Sequence, residues 1–255
     1  MEEKVFYTST DNIVLCGLLS EVVSNHKIVV LCHGLNGNKT ERKSFDKLVN
    51  ELGKTNYNSF RFDFRGHGES SGNDYEMTIS KELEDLEMTL KYLQENGYDE
   101  FILLGASFGA SIISLLKHDN YDIKGLICWY GALDYKDTIY NPFSEENKKE
   151  ANAKGYYTIV SPTSKREYKL GKELFDEVDS LAPYKSLIDF SVPVLFVHGS
   201  GDTMISYTVS EKISLSCKNS KLVIIKDAEH CFSNAEEFLE EACDETINFI
   251  KYLNL

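Results

Sequence analysis

The spacing Gly-x-Ser-x-Gly occurs twice in this chain, as Gly105-Ala106-Ser107-Phe108-Gly109 and as Gly68-Glu69-Ser70-Ser71-Gly72. A serine with this spacing can stand on a sharp strand-to-helix turn, where neighbours larger than glycine would clash. Context separates the two. The first follows the apolar run FILL and opens FGASIISLLK, a strand pattern and then a helix pattern. The second lies in a polar loop. Ser107 is therefore the candidate nucleophile, and the helix behind it would aim its N-terminal dipole at the reacting atoms.

A serine hydroxyl needs a base to take its proton. Six histidines compete: His26, His33, His67, His118, His198 and His230. His26 and His118 lie in polar stretches that suit solvated side chains. His198 closes a buried strand pattern and reads as structural. His230 follows the last strand in a loop leading to a helix, a position from which an imidazole can reach a strand-end serine. The base in turn needs an acid to fix its tautomer. Asp202, in His198-Gly199-Ser200-Gly201-Asp202, follows the penultimate strand on a glycine-bearing turn and is favoured. Asp227 is the rival, three residues from His230, and fits a turn. Two N–H groups must then face the developing oxyanion. The residue after the nucleophile, Phe108, supplies one, and Leu35 in the loop His33-Gly34-Leu35-Asn36-Gly37 supplies the other.

The elements that must position these groups alternate along the chain. Lys4–Thr8 and Asn12–Ser20 read as a pair of strands, followed by the fully apolar strand Lys27–Cys32. Lys43–Leu52 reads as a helix stopped by Gly53, and Tyr57–Phe64 as a strand. Over Thr78–Asn96, Ile79, Leu83, Leu86, Leu90 and Leu93 keep helical spacing, with Gly97 as the stop. Strand Phe101–Leu104, helix Phe108–Lys117 and strand Gly125–Tyr130 come next. The rhythm breaks over 134–182, then resumes as strand Val192–His198, helix Ser206–Ser216, strand Lys221–Ile225 and helix Asn234–Leu253. Asn234 and Glu237 have capping-box spacing. Alternation of this kind predicts an α/β fold, a mostly parallel sheet with helices on both faces. The expected organisation is a core of residues 1–133 and 183–255 with a largely helical lid inserted at 134–182.

With CHGLNGNK, FDFRGHGESSG, GASFG, HGSGD and AEHCFS spread in order over residues 32–233, the chain resembles α/β-hydrolases of the serine esterase kind. It is most similar to bacterial cinnamoyl and feruloyl esterases, and more loosely to monoacylglycerol lipases and serine aminopeptidase-like hydrolases. The resemblance implies an eight-stranded sheet, a lid after strand six and cofactor-free hydrolysis of small aromatic or short-to-medium acyl esters through an acyl-enzyme. It assigns the Arg65-Gly66-His67-Gly68 segment a structural part. Ala106 departs from the histidine that many relatives carry before the serine. An aminopeptidase or acyltransferase of the same fold is the alternative reading, and a non-catalytic small-ligand binding protein is the reading from another class.

Other chemistries lack their signatures. HExxH, paired HxxxH and GxxxxGK[ST] are absent, so neither a catalytic zinc nor a phosphate-binding loop is expected. Gly66-x-Gly68-x-x-x-Gly72 misses the dinucleotide spacing by one residue. Cys231 adjoins His230 and reads as a packing residue. The tyrosines of the insertion (Tyr135, Tyr140, Tyr156, Tyr157 and Tyr168), with Phe143, Leu170 and Phe175, suit either a substrate pocket or the insertion's own core.

The chain has 27 Lys and Arg against 41 Asp and Glu, a formal charge of −14 that disfavours nucleic acid and anionic membranes as partners. The acidic N-terminus has no signal-peptide pattern, and the six cysteines form no CxxC pair. A cytoplasmic protein with reduced thiols is expected. A homodimer through an apolar lid edge is compatible with the pattern but not required by it.

Overall fold

The computed structural model describes residues 2–136, 142–160 and 167–253. Among these, the chain opens with β1 (Glu2–Thr8), β2 (Val14–Ser20), β3 (Lys27–Cys32), α1 (Ser44–Lys54), β4 (Ser59–Asp63) and α2 (Ile79–Glu95). It continues with β5 (Glu100–Ala106), α3 (Phe108–Leu115), β6 (Asp122–Trp129), α4 (Glu145–Lys154), β7 (Tyr156–Val160) and β8 (Glu167–Gly171). Then come α5 (Lys172–Ser180), α6 (Pro183–Asp189), β9 (Val194–Gly199), α7 (Tyr207–Ser216), β10 (Ser220–Ile225) and α8 (Glu236–Tyr252).

Eight of the described strands form one sheet in the order β1-β2-β4-β3-β5-β6-β9-β10. β1 and β2 pair antiparallel, as do β2 and β4, and the rest is parallel. The mostly parallel eight-stranded sheet expected from the sequence is therefore present. Its central strands β3, β5, β6 and β9 are mainly apolar because both faces are covered. The pleat sends Val30, Leu103, Cys128 and Phe196 to one face, where α2 and α3 pack. It sends Leu31, Leu104, Trp129 and Val197 to the other, against α1 and α8. Five of the six cysteines are buried and all six are free. None of the described helices is long and apolar enough to cross a membrane.

Local details depart from the sequence reading. Strand β2 starts only at Val14, because Asp11 and Asn12 take positive φ in a tight turn. Gly53 does not stop α1, which runs on to Lys54. Asn234 caps nothing: α8 starts after Ala235 without a side-chain cap. The Asn234 side chain instead accepts the Glu229 N–H and donates to the Asp227 carbonyl, tying the His230 loop to itself.

Among its described residues, the 134–182 segment holds the helices α4 and α5 and also strands. Between α4 and α5 lies the antiparallel hairpin of β7 and β8, where Tyr156, Tyr157, Thr158 and Ile159 supply β-branched and aromatic residues. Ala151, Ile159, Leu170, Leu174 and Phe175 join the core on the α2 and α3 side of the sheet. Hydrogen bonds tie this segment to the stretch where α2 begins: Ser80 N–H to Glu177 (2.9 Å) and Lys169 N–H to Asp74 (2.9 Å).

Candidate active site

Ser107 sits where β5 ends and α3 begins, at φ 51° and ψ −114°, a strained conformation for a residue with a side chain. The surroundings hold it there: its N–H donates to the Trp129 carbonyl (2.9 Å) and its own carbonyl accepts from Ala132 (3.0 Å). Glycine on each side is obligatory. A Cβ on Gly105 would lie 2.4 Å from the Gly109 carbonyl oxygen, and one on Gly109 2.3 Å from that of Cys32. Ser70, by contrast, is spent on structure, donating to the Asp63 carbonyl and accepting from the Cys16 N–H.

His230 lies in a short 3₁₀ turn past β10, nearly buried, with the Tyr130 ring edge-on at 4.8 Å. Its Nδ1 meets Asp202 Oδ2 at 2.7 Å. Asp202 also accepts from the Met204 and Ile205 N–H groups through Oδ1, at 2.8 and 2.9 Å. His198 contributes a fourth contact to Oδ2 at 3.2 Å. Burial of Asp202 opposes ionisation, but the bonds from His198, His230 and Ile205 outweigh it and hold the carboxyl well below its usual range. Asp227 is exposed at a positive-φ turn and makes no such contact. His198 is structural, as its position suggests, yet it also steadies Asp202. Its Nε2 faces the Ile205 carbonyl (3.0 Å) as well as Asp202, so that nitrogen carries the proton, and Nδ1 is left to the Ser210 hydroxyl.

Ser107 and His230 line one pocket, with Asp202 behind the imidazole. The serine hydroxyl makes no hydrogen bond to His230 in this conformation, and such contacts often tighten only on substrate binding. Leu35 and Phe108 line the same pocket, and neither N–H is used by an acceptor among the described residues. The loop that carries Leu35 is anchored from below. His33 accepts the Phe64 N–H at Nε2 and donates from Nδ1 to the Gly34 carbonyl. Lys39, buried, bridges Asp63 (2.6 Å) and Glu69 (2.7 Å). Burial and the neighbouring His67 push the His33 pKa well down, so this ring stays neutral.

The pocket wall is apolar, formed by Phe108, Tyr135, Phe143, Ile159, Met204 and Ile205. Of the aromatics of segment 134–182, Tyr135 and Phe143 reach the pocket; they meet edge-to-face and both pack tilted on Phe108, with centroids 5.9–6.3 Å apart. Tyr157 packs on Phe175 instead, Lys169 lies over the Tyr156 ring, and Leu170 and Tyr168 are buried away from the pocket. Tyr140 lies outside the described residues. Sequence reasoning missed Glu41, Arg42, Met204 and Ile205, which also line it. No motif marks Glu41 or Arg42 in the sequence, and only the fold buries Glu41 beside the pocket with the exposed Arg42 at its edge.

Residues 23–169 match the Hydrolase_4 family, described as serine aminopeptidase, S33. The chain belongs to this family. It is an α/β-hydrolase, and the strand order and the strained serine turn agree with that. Among relatives, it is 24% identical to "Uncharacterized protein YfhR" of Escherichia coli O157:H7 over 254 residues, covering 97% of this chain and 80% of the relative. It is 25% identical over 201 residues to the mitochondrial palmitoyl-protein thioesterase ABHD10 of Bos taurus, covering 76% of this chain and 63% of the relative. Among solved structures, it superposes on ferulic acid-bound Est1E from Butyrivibrio proteoclasticus with a TM-score of 0.76. That match has 21% identity and covers 95% of this chain and 98% of that one.

Proposed function

We propose that this α/β-hydrolase cleaves carboxylic esters through an acyl-enzyme on Ser107. The observation that carries the reading is His230, 2.7 Å from Asp202 and lining the same pocket as a serine held at φ 51°. Ser107 Oγ attacks the ester carbonyl while His230 Nε2 takes its proton. Asp202 fixes the Nδ1–H tautomer and stabilises the imidazolium. The Leu35 and Phe108 N–H groups receive the oxyanion, where losing one donor would cost about 3–4 kcal/mol. The alcohol leaves with the proton from His230, and water activated by the same imidazole releases the acid.

The aromatic and aliphatic wall of Phe108, Tyr135, Phe143 and Ile159 suits small aromatic or short-to-medium acyl groups. Est1E was solved with ferulic acid, and ABHD10 is named a thioesterase. Both acyl types therefore belong in the test, and the same serine chemistry serves oxygen and sulfur esters. The aminopeptidase reading is weaker for one reason. A substrate ammonium needs an ionised, accessible carboxylate; the carboxyl at this pocket, Glu41, is buried with one oxygen on the Gly34 N–H and its pKa is raised to about 7 by burial, and Arg42 beside it has the wrong sign.

The deciding experiment compares p-nitrophenyl acetate, butyrate and octanoate with methyl ferulate, an acyl thioester and an aminoacyl-p-nitroanilide, for wild type and Ser107→Ala. Ester turnover should fall at least roughly 10³-fold in the variant, with the melting temperature retained. Turnover of the anilide alone would replace the esterase by a peptidase. A substitution that leaves ester turnover intact would remove Ser107 as nucleophile.

A further inference from the structure

Glu41 is a buried carboxyl that the acyl-transfer steps above do not use. It is 4% exposed, yet it lines the pocket. Its Oε2 accepts the Gly34 N–H at 3.0 Å, and Oε1 accepts no hydrogen bond among the described residues. The carboxyl lies directly under the loop that bears Leu35. A Cβ on Gly37 would come within 2.5 Å of Oε2, and one on Gly34 would lie 3.5 Å from Oε1 and 3.1 Å from Ser107 Cβ. The backbone is bent to place it: Glu41, Arg42 and Lys43 all take positive φ, and the Ser44 hydroxyl closes the turn on the Glu41 carbonyl at 2.6 Å.

We propose that Glu41 is a positioning residue for the oxyanion loop, whose neutral carboxyl holds the Gly34 N–H and keeps a second negative charge away from the oxyanion. The inference rests on the acyl-enzyme reading of Ser107. The physical reason is Coulombic: a carboxylate a few ångströms from a forming oxyanion, with little water between, raises its energy. The groups facing Glu41 leave it as the switching charge. His33 from the loop is held neutral by burial. Tyr130, past β6, is held neutral by burial as well, and burial pushes the Cys231 thiol up to about 12. Lys39 is paired with Asp63 and Glu69, Asp202 stays ionised, and Arg42 is exposed. His230 must be neutral to act as base. For Glu41, burial raises the pKa to about 7 against the lowering effects of the Gly34 N–H and Arg42. Raising the pH through that value converts the neutral form into the inhibitory one. The sign is an alkaline decline in turnover, superimposed on the acid limb set by protonation of the base.

The test reads Ser107 directly. A fluorophosphonate reacts by attack of Ser107 Oγ on phosphorus, with P–F cleavage, fluoride as leaving group and the serine proton passing to His230. Its P–O oxygen needs the oxyanion loop, but no particular acyl group. Phosphonylation rates from intact mass, with kcat on p-nitrophenyl butyrate, would be followed from pH 5.5 to 9 for wild type, Glu41→Gln, Glu41→Ala and Ser107→Ala. Wild type should slow several-fold (about 3–10-fold) between pH 6.5 and 8.5. Glu41→Gln, which still accepts the Gly34 N–H, should abolish that decline and recover most of the rate lost in Glu41→Ala. Glu41→Ala should lose about 10-fold or more in rate with KM little changed. An unchanged alkaline decline in Glu41→Gln, or a wild-type rate in a folded Glu41→Ala, would overturn the proposal. Absence of Ser107 labelling in wild type would overturn it together with the nucleophile. Glu41-dependent labelling without hydrolysis of any ester or thioester would sink the esterase reading and leave this inference standing.

Discussion

Asp202, behind the His230 imidazole, takes two backbone N–H groups on one oxygen and two imidazoles on the other. Its folded pKa is depressed below the ordinary aspartate value of 3.8, so the stability its contacts supply is present above that pH. It is lost as pH falls towards the depressed value, a window confined to strong acid. Catalysis depends on it differently. Asp202→Asn offers an amide to His230 Nδ1 and so favours the wrong tautomer, which is expected to lower kcat by roughly 10³–10⁴-fold. Steady-state kinetics at pH 7.5 checks this; a loss under tenfold would assign the orienting acid elsewhere. His198 is a residue whose end-of-strand position says only "buried". Its contact with Asp202 depends on the turn between them, which no residue type announces.

At the scale of elements, the β5–α3 turn shows why small residues are needed where strands and helices cross. Gly109 is the first turn of α3, and a side chain there would press on the Cys32 and His33 carbonyl oxygens at 2.3 and 2.6 Å. Those atoms are backbone of β3 and of the loop leading to Leu35, so they cannot yield without displacing that loop. Gly109→Ala is expected to cost about 1–3 kcal/mol or more, a loss of several degrees in Tm, and to reduce kcat as well. Gly53→Ala should do the opposite. Gly53 lies inside α1 with only Val22 near, at 3.6 Å, so alanine should add about 0.5–1 kcal/mol. Thermal melts of the two variants settle the contrast, and equal shifts would defeat it. Residues 134–182 are the least legible part of the sequence. That stretch is polar, tyrosine-bearing and weakly periodic, and the antiparallel β7–β8 pair found there is also held to the loop ahead of α2 by the Lys169 N–H on Asp74.

For the whole molecule, a charge of −14 makes self-repulsion grow with pH, and one buried acid adds to the same trend. The Glu41 pKa is raised from 4.5 to about 7 by burial. The folded state therefore binds more protons than the unfolded one across that interval, and stability falls as pH rises from 4.5 towards 7, then levels off. The loss is roughly 3 kcal/mol. Glu41→Gln should accordingly melt several degrees above wild type at pH 8 and close to it at pH 4.5. Differential scanning calorimetry at the two pH values reads this directly, and an equal offset at both would exclude the ionisation as cause. The amino-acid sequence alone determined the alternating elements, the mostly parallel sheet and the strand-turn-helix around Ser107. It also singled out Asp202 and His230 by chain position, because strand ends and glycine spacing are local properties. Tertiary structure alone decided the hairpin in the insertion, the pocket wall of Phe143, Met204 and Ile205, the hand His198 lends to Asp202 and the burial of Glu41. Burial and through-space charge are sums over segments far apart in the chain, so no single segment carries them.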